Sequence, residues 1–446
     1  MKLLANHFRA VVQLAEGRAV LCLVAQGIVY VFFLASVLAT LPVISWFVCA
    51  FSSFRLQRRV AAGRPPYPLI REATPGSEHA TMLFGRVAVI TGSNTGIGLS
   101  TATQLCGFGC RVVMACRDVA KAKAALDGTV RRQHPGSIAE VVLLDLDDPG
   151  SVASFPERLT ELLRQWTAVY TTPPTAASAA STSAPAIDFL VNNAGIFSAA
   201  KRYSAHRRST AAGHMSRRHD NMVATNHLGT VQLTSLMVPF LQRSTYIHGA
   251  RVIVVASVAH TWYPIANASA GSIAAIVEAL NGAVEGDASA RPAQPNAYGL
   301  TKLCNVLYAR WLAKEFASKP ATRHIAAVSV HPGAVLSDIY RDFGAVGESI
   351  MRALLPVVFK NNDEGAWTSV HCCTAPRRTA TSALHAPSNS THDAAGSTGL
   401  IVSGGYYADC QLADETCTPI ARSMDAAEAV MKWTFTQLAT ATSSSS

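Results

Sequence analysis

Tyr298 and Lys302 stand four residues apart in Asn296-Ala-Tyr-Gly-Leu-Thr-Lys302. On a helix, side chains at i and i+4 share a face, so the ammonium can lie beside the phenol. An unperturbed phenol, with a pKa near ~10, is a poor proton donor or acceptor at neutral pH. A neighbouring cation favours the phenolate, lowers that pKa and makes Tyr298 a usable general acid and base. Such pairs also arise by chance on solvated helix faces, so the chemistry depends on its company. Far upstream lies a glycine-rich segment, Thr91-Gly-Ser-Asn-Thr-Gly-Ile-Gly98.

That segment follows a buried apolar strand at 86–91 and opens an apolar-periodic helix at 99–109, the setting in which a glycine motif binds a nucleotide. Gly92 allows the tight turn, and Gly96 and Gly98 let backbone approach a pyrophosphate at the helix N-terminus. Ser93, Asn94, Thr95 and Ile97 complete the loop. Further strands are expected at 111–116, 141–146, 187–191, 251–256 and 325–330, and helices at 120–132, 151–170 and about 225–242. Short continuous apolar strands alternating with amphipathic helices indicate an α/β fold, a Rossmann-like doubly wound parallel sheet. The second strand ends Ala115-Cys116-Arg117. An acidic residue there would bond the ribose 2′-hydroxyl of NAD, whereas a guanidinium suits a 2′-phosphate. NADP(H) is therefore expected over NAD(H); Asp118, one place on, keeps the other reading open.

In this order, the motifs resemble the short-chain dehydrogenase/reductase family, and within it the retinol dehydrogenase-like branch. The match runs over 84–338 and returns at 399–410. It rests on the glycine loop, Asp145 in Leu144-Asp-Leu-Asp147, Asn192-Asn-Ala-Gly195, Asn226-His-Leu-Gly229, Ser257, the Tyr298/Lys302 pair, His331-Pro-Gly333 and Tyr406-Tyr-Ala-Asp-Cys410. The resemblance implies that Tyr298 gives the proton in carbonyl reduction and takes it in alcohol oxidation. Ser257 would hold the substrate oxygen, and Lys302 would lower the Tyr298 pKa and bind the nicotinamide ribose. Asn226 would position a water linking Lys302 to solvent. Asp145 with Leu146 would face the adenine, and Asn192, Ala194 and Gly195 would border the cofactor. Pro332, Gly333 and then Ser337 would sit near the nicotinamide amide. Hydride moves at carbon while a proton moves at oxygen, so no metal is needed. His227, His260 and His331 read as structural. Two other readings share these motifs. One is a protochlorophyllide-type double-bond reductase, although no pigment-binding cysteine pattern is evident. The other is a catalytically silent nucleotide-binding scaffold, which the complete Asn/Ser/Tyr/Lys set argues against.

The 446-residue chain has 49% hydrophobic and only 15% charged residues. Part of the apolar excess lies at 19–54, which carries no charge and exceeds the ~20 residues of one bilayer span. An uncleaved N-terminal anchor over 1–60 is expected, as a single helix or a hairpin bent near Pro42. Lys2, Arg9 and Arg18 precede it; Arg55, Arg58, Arg59 and Arg64 follow it. These flanks give a slight vote for a cytosol-facing catalytic body. The endoplasmic reticulum is the expected membrane, with a lipid droplet or mitochondrial membrane as alternatives. The net charge of +10 resides in residues 1–64 and 201–218, so nucleic acid is not an expected partner. The ten cysteines show no metal spacing and read as buried reduced thiols.

A linker at 61–82 would lead to an NADP-binding domain over 83–436, followed by a disordered tail at 437–446. Insertions are expected at 171–185, 199–219, 265–295 and 375–396, the third with a short helix near 272–280. The two nearest the motifs border the pocket and obscure the substrate. A lipophilic one, such as a retinoid, steroid or lipid aldehyde or ketone, follows from the anchor. A homodimer is compatible with all of this.

Overall fold

The computed structural model describes residues 83–170, 184–197, 203–206, 218–263, 272–284, 297–335, 360–377 and 400–438. The expected anchor and linker, the tail beyond residue 438, the 171–185 insertion apart from its last two residues, most of 199–219 and 375–396, both flanks of the 265–295 segment, and Ser337 lie outside the described residues. The first two residues of the expected disordered tail instead end a helix, Met424–Leu438, because Gln437 packs inward against His219. Among the described residues, no helix is long and apolar enough to cross a membrane.

Among the described residues, eight strands form one sheet in the order β3-β2-β1-β4-β5-β6-β7-β8. These are β1 (Val87–Thr91), β2 (Arg111–Cys116), β3 (Ala139–Leu143), β4 (Phe189–Asn192), β5 (Arg251–Val255), β6 (Ala326–His331), β7 (Tyr406–Ala408) and β8 (Gln411–Leu412). All neighbours pair in parallel except β7 and β8. Strands β1, β5 and β6 are buried along their whole length, so their continuous Val/Ile/Ala runs are what a sheet covered on both faces requires. The longer helices among the described residues are α1 (Gly96–Gly107), α2 (Val119–Ala125), α3 (Phe155–Tyr170), α4 (Thr230–Gln242), α5 (Ser272–Asn281), α6 (Ala297–Ser318), α7 (Asn362–Thr374) and α8 (Met424–Leu438). One apolar cluster joins β1, β4 and β5 to α3, α4 and α6; another joins the opposite side of the sheet to α1 and α7. The order of strands reverses between β1 and β4, and a crevice at the carboxyl ends of strands opens at such a switch point.

Several boundaries differ from the sequence expectation for visible reasons. Strand β3 ends at Leu143 rather than 146, because the Asp145 amide turns away to donate to Ser151 Oγ at 3.0 Å. The helix expected at 225–242 begins as a short turn at Asn221–Val223, passes through a π-helical turn at Ala224–Gly229 and only then becomes α4. Helix α2 likewise runs into a π-helical turn, Leu126–Arg131. Four elements were not anticipated: strands β7 and β8 and helices α7 and α8. The segment around α5 does not simply loop outward. Ile276 and Leu280 are fully buried in a third apolar cluster with α6 and α8, and Trp433 Nε1 donates to Asn281 Oδ1 at 2.8 Å.

Helix α8 is also pinned by polar contacts. His227 Nε2 and Thr434 Oγ1 lie 2.8 Å apart, and His219 Nε2 and Gln437 Oε1 lie 3.1 Å apart. Gly229 ends the π-helical turn against the loop after β3, and a Cβ there would fall 2.1 Å from the Leu146 carbonyl oxygen. Backbone cannot yield as a flexible side chain can, so Gly229→Ala should cost roughly 2–3 kcal/mol of stability. Chemical denaturation measures this; a loss below about 0.5 kcal/mol would show that the close approach is dispensable.

Candidate active site

The crevice is a cleft of about 600 Å³ at the carboxyl ends of the strands. The glycine loop and the start of α1 line one wall, with Gly92 and Gly96 both in the left-handed region at φ +63° and +57°. A Cβ on Gly92 would sit 3.0 Å from Ala194, and one on Gly98 would collide with the Asn193 amide. The turn is held from across the sheet. Thr91 Oγ1 accepts from the Asn193 and Ala194 amides at 3.0 and 2.9 Å, and Asn193 Nδ2 donates to the Thr91 and Gly92 carbonyls at 2.9 and 3.2 Å. No side chain caps the first turn of α1, and its positive end faces the cleft. These features fit a dinucleotide: Gly92–Gly98 would hold its pyrophosphate, and Asp145 and Leu146 border the far end of the cleft.

Arg117 lies exposed at the end of β2 and lines the cleft with Lys121. Asp118, also exposed, lines the cleft beside them, and as N-cap of α2 its Oδ1 accepts from the Lys121 amide at 2.9 Å. Of the expected cofactor contacts, Gly92, Asn94, Thr95, Gly96, Ile97, Gly98, Arg117, Asp145, Leu146, Ala194, Gly195, Pro332 and Gly333 all line the cleft. Ser93 and Asn192 do not. Ser93 is buried and donates to the Ile90 carbonyl at 3.0 Å, while Asn192 donates beneath the sheet to Thr234 Oγ1 at 2.9 Å. Asn193, next in sequence, turns toward the cleft instead. The lining residues Thr91, Asn193, Lys121, Phe197 and Val335 were not singled out from the sequence. The strand-end position of Thr91 was the available signal for it.

The reactive end gathers Ser257, Tyr298 and Lys302. Ser257 follows β5 and caps a 3₁₀ turn, its Oγ accepting from the Ala259 amide at 3.2 Å. That bond uses a lone pair and leaves the hydroxyl hydrogen for a substrate oxygen. Helix α6 carries Tyr298 and Lys302 on one face, with Lys302 Nζ 5.4 Å from the Tyr298 ring centroid. The Phe197 ring meets the Tyr298 ring edge-on at 5.7 Å between centroids. Asn226 stands behind them in the π-helical turn, a distortion frequent at functional sites. Its Oδ1 accepts from the Ile196 amide at 2.8 Å; its Nδ2 donates to the Ile196 carbonyl at 2.9 Å and to Thr301 Oγ1 at 3.2 Å. Asn226 is buried and does not line the cleft, but it ties the loop after β4 to the turn of α6 between Tyr298 and Lys302.

The three histidines read as structural are all buried and held neutral, burial pulling His227 and His260 down to about 4 and His331 to about 3. His331 Nδ1 faces the Val258 amide at 3.4 Å, and His260 Nδ1 faces the Ser257 carbonyl at 2.7 Å, so both brace the serine turn. All eight described cysteines are buried.

Lys302 is buried, donates to the Val255 carbonyl at 2.9 Å and is pulled by desolvation from 10.5 down to about 8. A lysine whose folded pKa is depressed binds its proton less tightly than the unfolded chain does. Between about pH 8 and 10.5 the unfolded state therefore holds more protons, and this group's contribution to stability rises with pH. In the cofactor-free protein, Lys302→Met should exceed wild type in unfolding free energy by about 3 kcal/mol more at pH 8 than at pH 10.5. A pH-independent difference between the two would contradict the depressed value.

The family model of short chain dehydrogenase matches residues 86–277. The chain is 32% identical to Retinol dehydrogenase 12 of Mus musculus over 310 residues, covering 69% of this chain and 80% of that protein. It is 26% identical to Retinol dehydrogenase 14 of Mus musculus over 415 residues, covering 91% of this chain and 96% of that one. Dehydrogenase/reductase SDR family member 13 of Homo sapiens is 30% identical over 297 residues, covering 65% and 62%. A parallel sheet with a glycine-loop cleft at its switch point, closed by a serine turn and a Tyr/Lys helix, carries the same assignment. The chain belongs to the short-chain dehydrogenase/reductase family, in its retinol dehydrogenase-like branch, and is an oxidoreductase that binds NAD(P)(H) and acts on CH–OH donors.

Proposed function

We propose that this protein is a membrane-anchored, NADP(H)-preferring enzyme that interconverts an alcohol and a carbonyl on a lipophilic substrate such as a retinoid, steroid or lipid aldehyde. The convergence of Ser257, Tyr298 and Lys302 at one end of the cleft is the observation that carries the chemistry. When bound, the nicotinamide supplies the hydride for reduction or accepts it in oxidation. The protein's own task is the proton at oxygen. Ser257 Oγ–H donates to the substrate oxygen and aims it at Tyr298. The Tyr298 hydroxyl then gives its proton to that oxygen, or takes it in the other direction. Lys302, one helical turn away, favours the phenolate and binds the nicotinamide ribose. Asn226 holds the loop and helix turn that flank the ammonium, and a water beside it would return the proton from solvent.

The cofactor preference follows from the end of β2. Arg117 and Lys121 set two cations on the cleft there, against one carboxylate, Asp118, which lines the cleft too but has one oxygen already committed to capping α2. The lipophilic substrate follows from the uncharged run at 19–54 and its basic flanks, which would place the pocket beside a membrane. The name Retinol dehydrogenase, borne by relatives, points to the same class. The endoplasmic reticulum, with the catalytic body on its cytosolic side, is the proposed location. The proposed layout is the anchor at 1–60, a linker and one catalytic domain.

Tyr298→Phe should abolish turnover of all-trans-retinal, decanal or a ketosteroid while NADPH binding stays within about threefold of wild type. Wild type that binds NADPH yet turns over no carbonyl would sink the proposed activity and favour the silent scaffold. Arg117→Ala should raise the KM for NADPH by about tenfold or more and leave that for NADH nearly unchanged. Equal effects on the two cofactors would refute the preference.

A further inference from the structure

Lys360 is a buried cation that the chemistry above does not use. It is only 1% exposed, in the short stretch before α7. Its Nζ donates to Asp409 Oδ1 at 2.5 Å and to the Pro332 carbonyl at 3.4 Å. Its backbone amide donates to the Ala334 carbonyl at 2.8 Å, and Lys360 pairs with Val335 as a parallel bridge. The side chain runs directly beneath Gly333. That residue has φ +92°, and a Cβ on it would lie 2.8–2.9 Å from Lys360 Cδ, Cε and Nζ. Pro332, Gly333 and Val335 all line the cleft.

The partner is held with equal insistence. Asp409 and Cys410, at φ +49° and +61°, are the two non-glycine residues with positive φ among the described residues. This conformation costs about 1–2 kcal/mol per residue and persists where the surroundings demand it. Here the Cys410 amide donates to buried Thr368 Oγ1 on α7 at 3.3 Å, and the turn delivers the Asp409 carboxylate to Lys360. Three distant segments therefore meet at one ammonium: the end of β6, the entry to α7 and the end of β7.

We propose that Lys360 and Asp409 are positioning residues of the active site, their ion pair fixing the Pro332–Val335 wall against which the cofactor and substrate are held. The ammonium is buried and the Asp409 carboxylate partly exposed, and such a pair contributes little net stability compared with apolar substitutes of the same size. What it supplies is a single geometry for the wall. The inference rests on the alcohol–carbonyl reading for its kinetic test, but not for its binding test.

The test uses the full-length chain with Lys360→Met, Asp409→Asn and the double variant, all assayed well below their unfolding temperatures. NADPH affinity is read by fluorescence titration, alongside KM, kcat and the pH dependence of kcat for the best carbonyl substrate. Each single variant should weaken NADPH binding and raise the substrate KM by about tenfold. The midpoint of the kcat pH profile should not move, because Tyr298 and Lys302 are untouched. The double variant should match the worse single variant rather than their product, since both act through one contact. Single variants that lose thermal stability yet keep wild-type NADPH affinity and KM would overturn the proposal. If Lys360→Met does not fold, Asp409→Gly serves instead, because glycine relaxes the positive φ while removing the carboxylate. Weaker NADPH binding with unchanged or higher thermal stability supports the clamp; unchanged binding refutes it. Should wild type bind NADPH but reduce no carbonyl, the proposed activity fails while the affinity comparison still decides the clamp.

Discussion

The seam between β1 and β4 is the constraint from which the rest of the site follows. Adjacent parallel strands whose crossovers leave in opposite directions must splay at their carboxyl ends, and the splay is the cleft. Something has to stop it from widening. Thr91 and Asn193 do so with four hydrogen bonds at 2.9–3.2 Å across the gap, two of them accepted by one hydroxyl. Glycines at 92 and 98 are then required, because the loop so held leaves no room for a Cβ on either side. Loosening the seam would move the N-terminus of α1 and the loop carrying Ala194 and Gly195 together. Cofactor position and the packing behind Lys302 are in this sense one mechanical problem.

The same logic extends to the catalytic end. Asn226 is joined both to Ile196 on the loop after β4 and to Thr301 on α6, and Thr301 Oγ1 donates back to the Tyr298 carbonyl at 2.8 Å. The π-helical turn swings Asn226 to where it can reach both. Gly229 lets that turn settle against Leu146, a residue that itself lines the cleft. Histidines buried in their neutral form brace the serine turn from below without introducing a competing charge near the phenol.

Most of the chemistry was legible in the sequence because its residues sit in short local motifs. Glycine loops, the Tyr/Lys pair and the arginine after β2 need only a neighbouring strand or helix to acquire meaning. The errors have equally local causes. At the end of a strand, one residue of register decides which side chain faces the ligand, so Asn193 lines the cleft where Asn192 points beneath the sheet. Ser93 turns inward because its hydroxyl finds the Ile90 carbonyl. What could not be read is everything held by contacts between distant segments. The Lys360–Asp409 pair spans 49 residues, and neither residue belongs to a periodic pattern. Helix α8 and the burial of α5 were hidden for the same reason: each has meaning only against the other and against α6.

Helix α8 also imposes an order of events on the making of the protein. The nucleotide half, from β1 to β5, can pair its strands as soon as about residue 255 is available. His227, beside Asn226, must wait for Thr434, 207 residues later, and His219 must wait for Gln437, 218 residues later. Contacts of that separation form late, because the loop-closure entropy has to be met before they return any energy. During synthesis the chain would thus acquire a dinucleotide platform well before the last helix seals the catalytic side. For some time the ribosome would carry a nascent chain with its glycine loop in place but the environment of its own active site incomplete.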